Sequence, residues 1–311
     1  MITATTTLYL YVETPLHAGV GSGLSSIDLP IQRERTTQYP MIQGSGIKGK
    51  LRATAEDAIK REKFSQGDVD ILFGPATIIA GNKNTTNAPS TDHAGALIAG
   101  DARILLFPVR SLNGVFAYTT SYDVLNRFKR DVERGNTQHK PDWSIPDPAQ
   151  GKALVTTNSE IHTNNTIVLE EFSFEVQSDT RVNIIADWIA RYALPDLGTG
   201  DYWPNKVKNS LIILPNEDFR DFALYATEVI TRVRIKRDTK TVEGGALWTE
   251  EHLPTDTLMY VPMYATSTRK KDTSMSAEQV LAKIKELDTN YLQLGGDETV
   301  GRGLVRIRWS D

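Results

Sequence analysis

The sequence predicts an α+β fold, and three observations carry that reading. Short β-branched and aromatic runs stand at both ends of the chain and between helical stretches. Apolar residues recur at helical spacing in separate segments. Strands and helices do not alternate in the regular way a parallel βαβ sheet requires.

Residues 5–13 read as a strand with Leu8, Leu10 and Val12 on one face, ending before Pro15. A Gly/Ser loop follows over 19–26. Residues 45–62 read as a helix, with Ser45 as N-cap and Ile47, Leu51, Ala55, Ala58 and Ile59 as its apolar stripe. Lys48 and Arg52 share one side of its first turns. Residues 76–95, rich in Asn, Thr, Pro and Gly, read as a loop before a strand at 102–109. Residues 121–134 suit a helix. Residues 135–151, with Pro141, Pro146 and Pro148, suit an exposed connection. Strands are expected at 166–176 and 209–214, then a helix at 216–229 facing inward through Phe219, Phe222 and Ala223.

Residues 230–237 alternate apolar and basic, which predicts a half-buried strand with one basic face. Turn chemistry at Glu243-Gly244-Gly245-Ala246 and a second extended run make a projecting hairpin. A strand at 258–265 and a helix at 277–289 follow, the helix opening on a capping box of Ser276 and Gln279. The glycine-rich loop 295–303 and a strand at 304–309 complete the chain.

The composition, 40% hydrophobic and 24% charged over 311 residues, is that of a globular protein with one or two domains. No apolar run is long enough to span a membrane. The start of the chain lacks the basic and apolar segments of a signal peptide. There is no cysteine, hence no disulfide framework and no thiolate metal site. A cytoplasmic protein with no membrane partner is the expectation. The net charge of −4 argues against nucleic acid only on average. Basic residues gather at 31–63, at 232–240 and in Arg302, Arg306 and Arg308, whereas acids gather elsewhere, as at Glu170-Glu171. One face can bind RNA while the remainder keeps the protein soluble.

Three segments carry a family resemblance. The first is His17-Ala18-Gly19-Val20-Gly21 with Ile27-Asp28-Leu29-Pro30-Ile31-Gln32-Arg33. The second runs from Pro40 to Arg52 through Gly44-Ser45-Gly46-Ile47-Lys48-Gly49-Lys50. The third is Leu294-Gly295-Gly296 through Gly301-Arg302-Gly303. Leu72-Phe73-Gly74 and Gly245-Ala246-Leu247-Trp248-Thr249-Glu250-Glu251 support them. In order and spacing this set resembles the RAMP superfamily of CRISPR proteins, and the Asp-Leu-Pro-Ile-Gln-Arg form resembles the backbone subunit of type III-B (Cmr) effectors. The resemblance covers nearly the whole chain. It departs at Gly46, where many relatives have serine, and thins over 80–165.

The resemblance implies an RRM-like (ferredoxin-like) palm with an inserted helical region and a protruding β-hairpin thumb. The palm would span about 1–75, 166–235 and 258–311, the insertion about 76–165 and the thumb about 236–257. It implies a subunit that binds crRNA, target RNA, further copies of itself in a helical filament and other Cmr-complex subunits. It implies cleavage of target RNA at regular intervals by Asp28.

The residues themselves allow that chemistry. A glycine-rich helix start with Ser45, Lys48, Lys50 and Arg52 can hold a phosphate through free N–H groups and cations, without the spacing of a nucleotide-hydrolysing P-loop. Gly295, Gly296, Gly301 and Gly303 allow close backbone approach, and Arg302 can pair with phosphate. Arg33, Arg234, Lys236 and Arg237 are further RNA-binding candidates, and Trp248 is a candidate thumb wedge. No second carboxylate clusters with Asp28 in the sequence. A weak site for Mg²⁺ or Mn²⁺, completed by RNA phosphates, is therefore the expectation, with 2′,3′-cyclic phosphate and 5′-hydroxyl products. His17, Glu250 and Glu251 are candidate supports. Two rivals stand beside this reading: a non-catalytic crRNA scaffold, and a metal-independent guide-processing endoribonuclease using His17 as its acid–base group. A small-molecule enzyme has no supporting constellation.

Overall fold

Apolar runs longer than one face needs build the centre of this protein. The computed structural model describes residues 2–23, 27–75, 93–135, 138–270, 273–287 and 289–310. The loop expected at 76–95 lies mostly outside them.

In chain order the elements are β1 (Ala4–Val12), β2 (Met41–Ile42), α1 (Gly44–Ile59), α2 (Gln66–Phe73), β3 (Leu97–Ala99), β4 (Ala102–Arg110), β5 (Phe116–Ser121) and α3 (Tyr122–Glu133). Next come β6 (Lys152–Val155), β7 (Thr166–Leu169), β8 (Phe172–Ser178), α4 (Thr180–Trp188), α5 (Tyr202–Ser210), β9 (Leu211–Leu214) and α6 (Asn216–Tyr225). The chain closes with β10 (Glu228–Ile235), β11 (Val242–His252), β12 (Leu258–Ala265), α7 (Ala277–Lys285), β13 (Tyr291–Gln293) and β14 (Leu304–Trp309).

One mixed sheet runs in the order β13-β14-β1-β12-β4-β5-β9-β6-β8-β7, with β2 beside β4 and β3 beside β12. Its antiparallel core is β14-β1-β12-β4, with α1 in the connection between β1 and β4, and α7 in that between β12 and β14. Strand β1 is buried on both faces. Tyr9 packs against Phe128 of α3 and Tyr11 against Trp203 of α5, while Leu8 and Leu10 on the opposite face are also covered. The single face expected from Leu8, Leu10 and Val12 is thus only half of its burial, because its tyrosines are core residues too.

Several expectations need correction. Residues 97–110, assigned to the inserted region, lie in the sheet core. Ile104, Leu105, Leu106 and Phe107 are buried, and β4 pairs with β12. On the β4 side, what extends the sheet beyond that core is β5 to β9, residues 116–214. The strand expected at 166–176 is two, because Glu170 takes a left-handed φ of 49° and turns the chain between β7 and β8. The helix expected at 216–229 stops at Tyr225, and Glu228 already belongs to β10. The capping box of Ser276 and Gln279 forms as read.

Strands β10 and β11 stand outside the large sheet and make a two-stranded hairpin over 228–252. It begins earlier in sequence than the expected 236–257. The predicted half-burial of 230–237 holds only at Ile230 and Arg232; from Val233 on both faces are open, with Val233 and Ile235 exposed along with Arg234. Period-2 alternation defines two faces, but none of the described residues covers either near the tip.

Candidate functional site

Segments hundreds of residues apart meet in one cleft of about 710 Å³. The first loop contributes His17, Gly19 and Gln32, α1 contributes Ser45, Gly46, Gly49 and Lys50, and the last loop contributes Gly295 and Gly296. A larger hollow of about 900 Å³ beside β1 and α7 gathers no comparable chemistry.

Two kinds of glycine build the cleft. Gly295 and Gly303 have left-handed φ of 78° and 73°. A side chain on Gly295 would strike the His17 carbonyl, and one on Gly303 the Leu294 carbonyl. The Gly296 N–H donates to His17 O at 2.9 Å and the Gly303 N–H to Pro15 O at 3.0 Å, docking the last loop onto the first. Gly46 and Gly49 are different. They lie inside α1 and face open space. Each costs the helix roughly 1 kcal/mol relative to alanine. The packing does not demand them, but an approaching backbone would.

The start of α1 departs from the expectation. Ser45 is not its N-cap; that position is Gln43, whose side chain makes no cap bond. The Gly44 N–H donates to Asp101 Oδ1 at 2.8 Å, so a carboxylate already sits where a phosphate was expected. Arg52 is held by Glu56 at 2.8 Å and by the Gly74 carbonyl at 3.2 Å. Lys48 is half-buried, and burial together with nearby Arg52 lowers its pKa. Lys50 is the α1 cation that lines the cleft.

Asp28 is exposed and anchored to the hairpin. Its Oδ2 accepts from the Thr249 N–H at 2.8 Å and the Thr249 hydroxyl at 3.0 Å. Those bonds hold its carboxyl below the usual carboxylate range. Leu29 continues the attachment: its N–H donates to Thr249 O and its carbonyl accepts from the Glu251 N–H, each at 3.0 Å. The Asp28 loop therefore lies along β11 like an added strand.

His17 is tied to the same strand. Its Nδ1 lies 2.7 Å from the Glu251 carbonyl, so Nδ1 donates and the neutral ring keeps its lone pair on Nε2.

Glu251 is fully buried and structural. It pairs with Arg33 and accepts from the Ile31 N–H at 3.0 Å and the Thr227 hydroxyl at 2.8 Å. Arg33, expected on RNA, spends its guanidinium on Glu251 and on the carbonyls of Gln38 and Ala223. It offers little to a ligand. Glu250 accepts from Arg232 Nε and from Trp248 Nε1, both at 2.7 Å. Burial pushes its carboxyl up, but those bonds outweigh it and hold the carboxyl low. Trp248 is thereby tethered and half-buried, whereas its neighbour Leu247 is 63% exposed.

At the tip, Arg234, Lys236 and Arg237 are exposed, and among the described residues Arg234 has an ion pair with Glu243 alone, at 3.9 Å. Gly301 lies in the open at φ 78° and Arg302 beside it is half-buried. The sequence reading missed His252, although Glu250 and His252 stand two apart on one strand and so share a face. It also missed the exposed apolar row of Val229, Val233 and Leu247 on the hairpin's other face.

Known proteins resemble this chain along its length. The RAMP superfamily profile matches residues 9–306. The CRISPR system Cmr endoribonuclease Cmr4 of Pyrococcus furiosus is 39% identical over 299 residues, 96% of this chain and 93% of that protein. The Cmr4 subunit of Saccharolobus solfataricus is 27% identical, covering 96% and 95%. Among solved structures, oligomeric Cmr4 from Pyrococcus furiosus superposes with a TM-score of 0.70 at 32% identity, covering 99% of this chain and 98% of that one.

Proposed function

This chain belongs to the RAMP superfamily, and from that premise we propose that it is the backbone subunit of a type III-B CRISPR effector, polymerising along a guide RNA and cutting complementary target RNA at regular intervals. The observation that carries the proposal is the cleft. The three motif segments line it together, and helix α1 turns Gly46, Gly49 and Lys50 toward it with open space in front. Such a surface suits a ribose–phosphate backbone, read without regard to sequence. Base pairing between guide and target then supplies the specificity.

The order β14-β1-β12-β4, with α1 and α7 in the two crossovers, supports an RRM-like palm. The free-standing hairpin supports a thumb that separates bases at intervals. Leu247, Val233 and the basic tip are its outward groups.

Asp28 is the cutting residue in this proposal. Its exposed carboxylate, kept ionised by Thr249, stands at the hairpin's foot where a splayed target would pass. Among the described residues no group of three metal-ligating side chains includes Asp28. That fits an Mg²⁺ or Mn²⁺ completed by RNA phosphate oxygens and water. When bound, the ion supplies charge neutralisation at the phosphate. The thumb's distortion of the strand brings the RNA's own 2′-hydroxyl into line with the adjacent phosphorus, giving 2′,3′-cyclic phosphate and 5′-hydroxyl ends. His17 Nε2, which carries the ring's lone pair, is the acid–base candidate on this chain.

The test is cleavage of labelled target RNA by the chain assembled with guide RNA and its partner subunits. A regular ladder in Mg²⁺ that is absent with chelator supports the proposal. Guide binding without a ladder leaves a scaffold. Cutting of precursor repeat RNA in chelator, lost in His17→Ala, makes it a guide-processing enzyme.

A further inference from the structure

On the face of β11 opposite Thr249, a second constellation stands apart from Asp28. Glu250 and His252 project from the hairpin's foot, and Asp297 reaches them from the glycine loop, where it holds a left-handed φ of 62°. One ligand atom from each lies within 4.8 Å of the others. His252 Nε2 is 3.8 Å from Glu250 Oε2 and 3.9 Å from Asp297 Oδ2. His252 is completely buried, yet among the described residues neither ring nitrogen has a hydrogen-bond partner.

That orphaned imidazole is the informative observation. Arg232 bridges the two carboxylates, at 2.7 Å to Glu250 and 2.6 Å to Asp297, and so offsets one of their two negative charges. A salt-bridge knot alone accounts for the three charged groups and leaves the histidine unexplained. Buried imidazoles otherwise find a partner. A cation facing Nε2 would satisfy it and draw the same two oxygens inward. Ligand bonds of about 2.0–2.1 Å place tetrahedral ligands roughly 3.3 Å apart. The two distances from His252 Nε2 need to close by only about half an ångström to reach that spacing.

We propose that Glu250, His252 and Asp297 form a binding site for a divalent transition-metal ion, Zn²⁺ foremost, that staples the foot of the hairpin to the glycine loop. One imidazole nitrogen with two carboxylate oxygens is a borderline donor set. It favours Zn²⁺ over Mg²⁺, which prefers oxygen ligands and retains its water. Water takes the fourth position. Arg232 is the ion's competitor for the carboxylates. The site is independent of the ion assigned to Asp28, because successive residues of a strand face opposite ways and Asp28 binds Thr249.

The experiment is metal content and Zn²⁺ titration calorimetry on the purified full chain, dialysed against trace Zn²⁺ in excess Mg²⁺. The expected result is about one Zn²⁺ per chain that Mg²⁺ does not displace. His252→Gln reduces it to about a tenth or less. Arg232→Ala tightens binding by removing the competitor, a result a purely structural knot would not give. Asp28→Ala leaves Zn²⁺ bound, which separates this site from the cleavage loop. Zn²⁺ binding that is absent in the wild type, or unchanged in a folded His252→Gln, overturns the proposal. So does binding lost in Asp28→Ala.

Discussion

The foot of the hairpin and its tip are built on opposite rules. At the foot, Glu250, Glu251 and His252 are buried, and both carboxylates are fully engaged by Arg232, Trp248, Arg33 and backbone N–H groups. At the tip, a few residues along the same two strands, Arg234, Lys236 and Arg237 are exposed beside uncovered Val233, Ile235 and Leu247. The foot spends its charges on holding a loop in place. The tip leaves its charges and apolar groups uncovered among the described residues. Charge type alone therefore says nothing about role; burial and partners decide it.

The strongest way to break that contrast is at the foot. Glu251→Ala strands Arg33 and the Ile31 N–H in a buried setting, and should cost about 3–5 kcal/mol in urea unfolding. A loss below about 1 kcal/mol would mean that Glu251 is not an anchor. The tip predicts the reverse. The triple change Arg234→Ala, Lys236→Ala, Arg237→Ala should leave unfolding unaltered. It should weaken guide RNA binding about tenfold or more, and flatten the salt dependence by a slope of about 2–3 in fluorescence anisotropy.

The strands at the two ends of the chain, four of the helices and the capping box of Ser276 were legible in the sequence, because apolar periodicity and cap chemistry are local. It also brought the three glycine-bearing segments into one argument before their shared cleft was visible. It could not show which charges are spent. Arg33 and Lys50 look alike in a basic tract, but one lies under α6 against the Ala223 carbonyl and the other lines the cleft. Asp101 at the start of α1 could not be foreseen, since it arrives from β4's leading edge, 57 residues on. Alternation at 230–237 fixed the faces of the strand, but whether either is covered depends on tertiary neighbours.

Smaller effects sharpen the contrast. Glu34, next to Arg33, accepts from Arg127 at 2.6 and 2.8 Å. Burial raises its pKa, yet the bonds from Arg127 and Thr37 outweigh that and hold it below the ordinary value. The unfolded chain therefore takes up this proton first. The stabilisation is present above the ordinary carboxyl value, about pH 4.5, and disappears as pH falls through the lower folded value. Glu34→Gln should remove that part of the acid sensitivity in pH-dependent unfolding. Least of all, Trp248→Ala should cost about 1 kcal/mol through the lost bond to Glu250, whereas Leu247→Ser one residue away should stay within about 0.5 kcal/mol.

The central claim is that the loop held against the foot cuts while the tip and cleft bind. Single-turnover cleavage of target RNA, measured beside guide and target affinity in wild type and Asp28→Ala, tests it most directly. The account predicts that the mutant loses the regular ladder of cuts and retains both affinities. An undiminished ladder in Asp28→Ala would contradict it and place the cutting group elsewhere in the assembly.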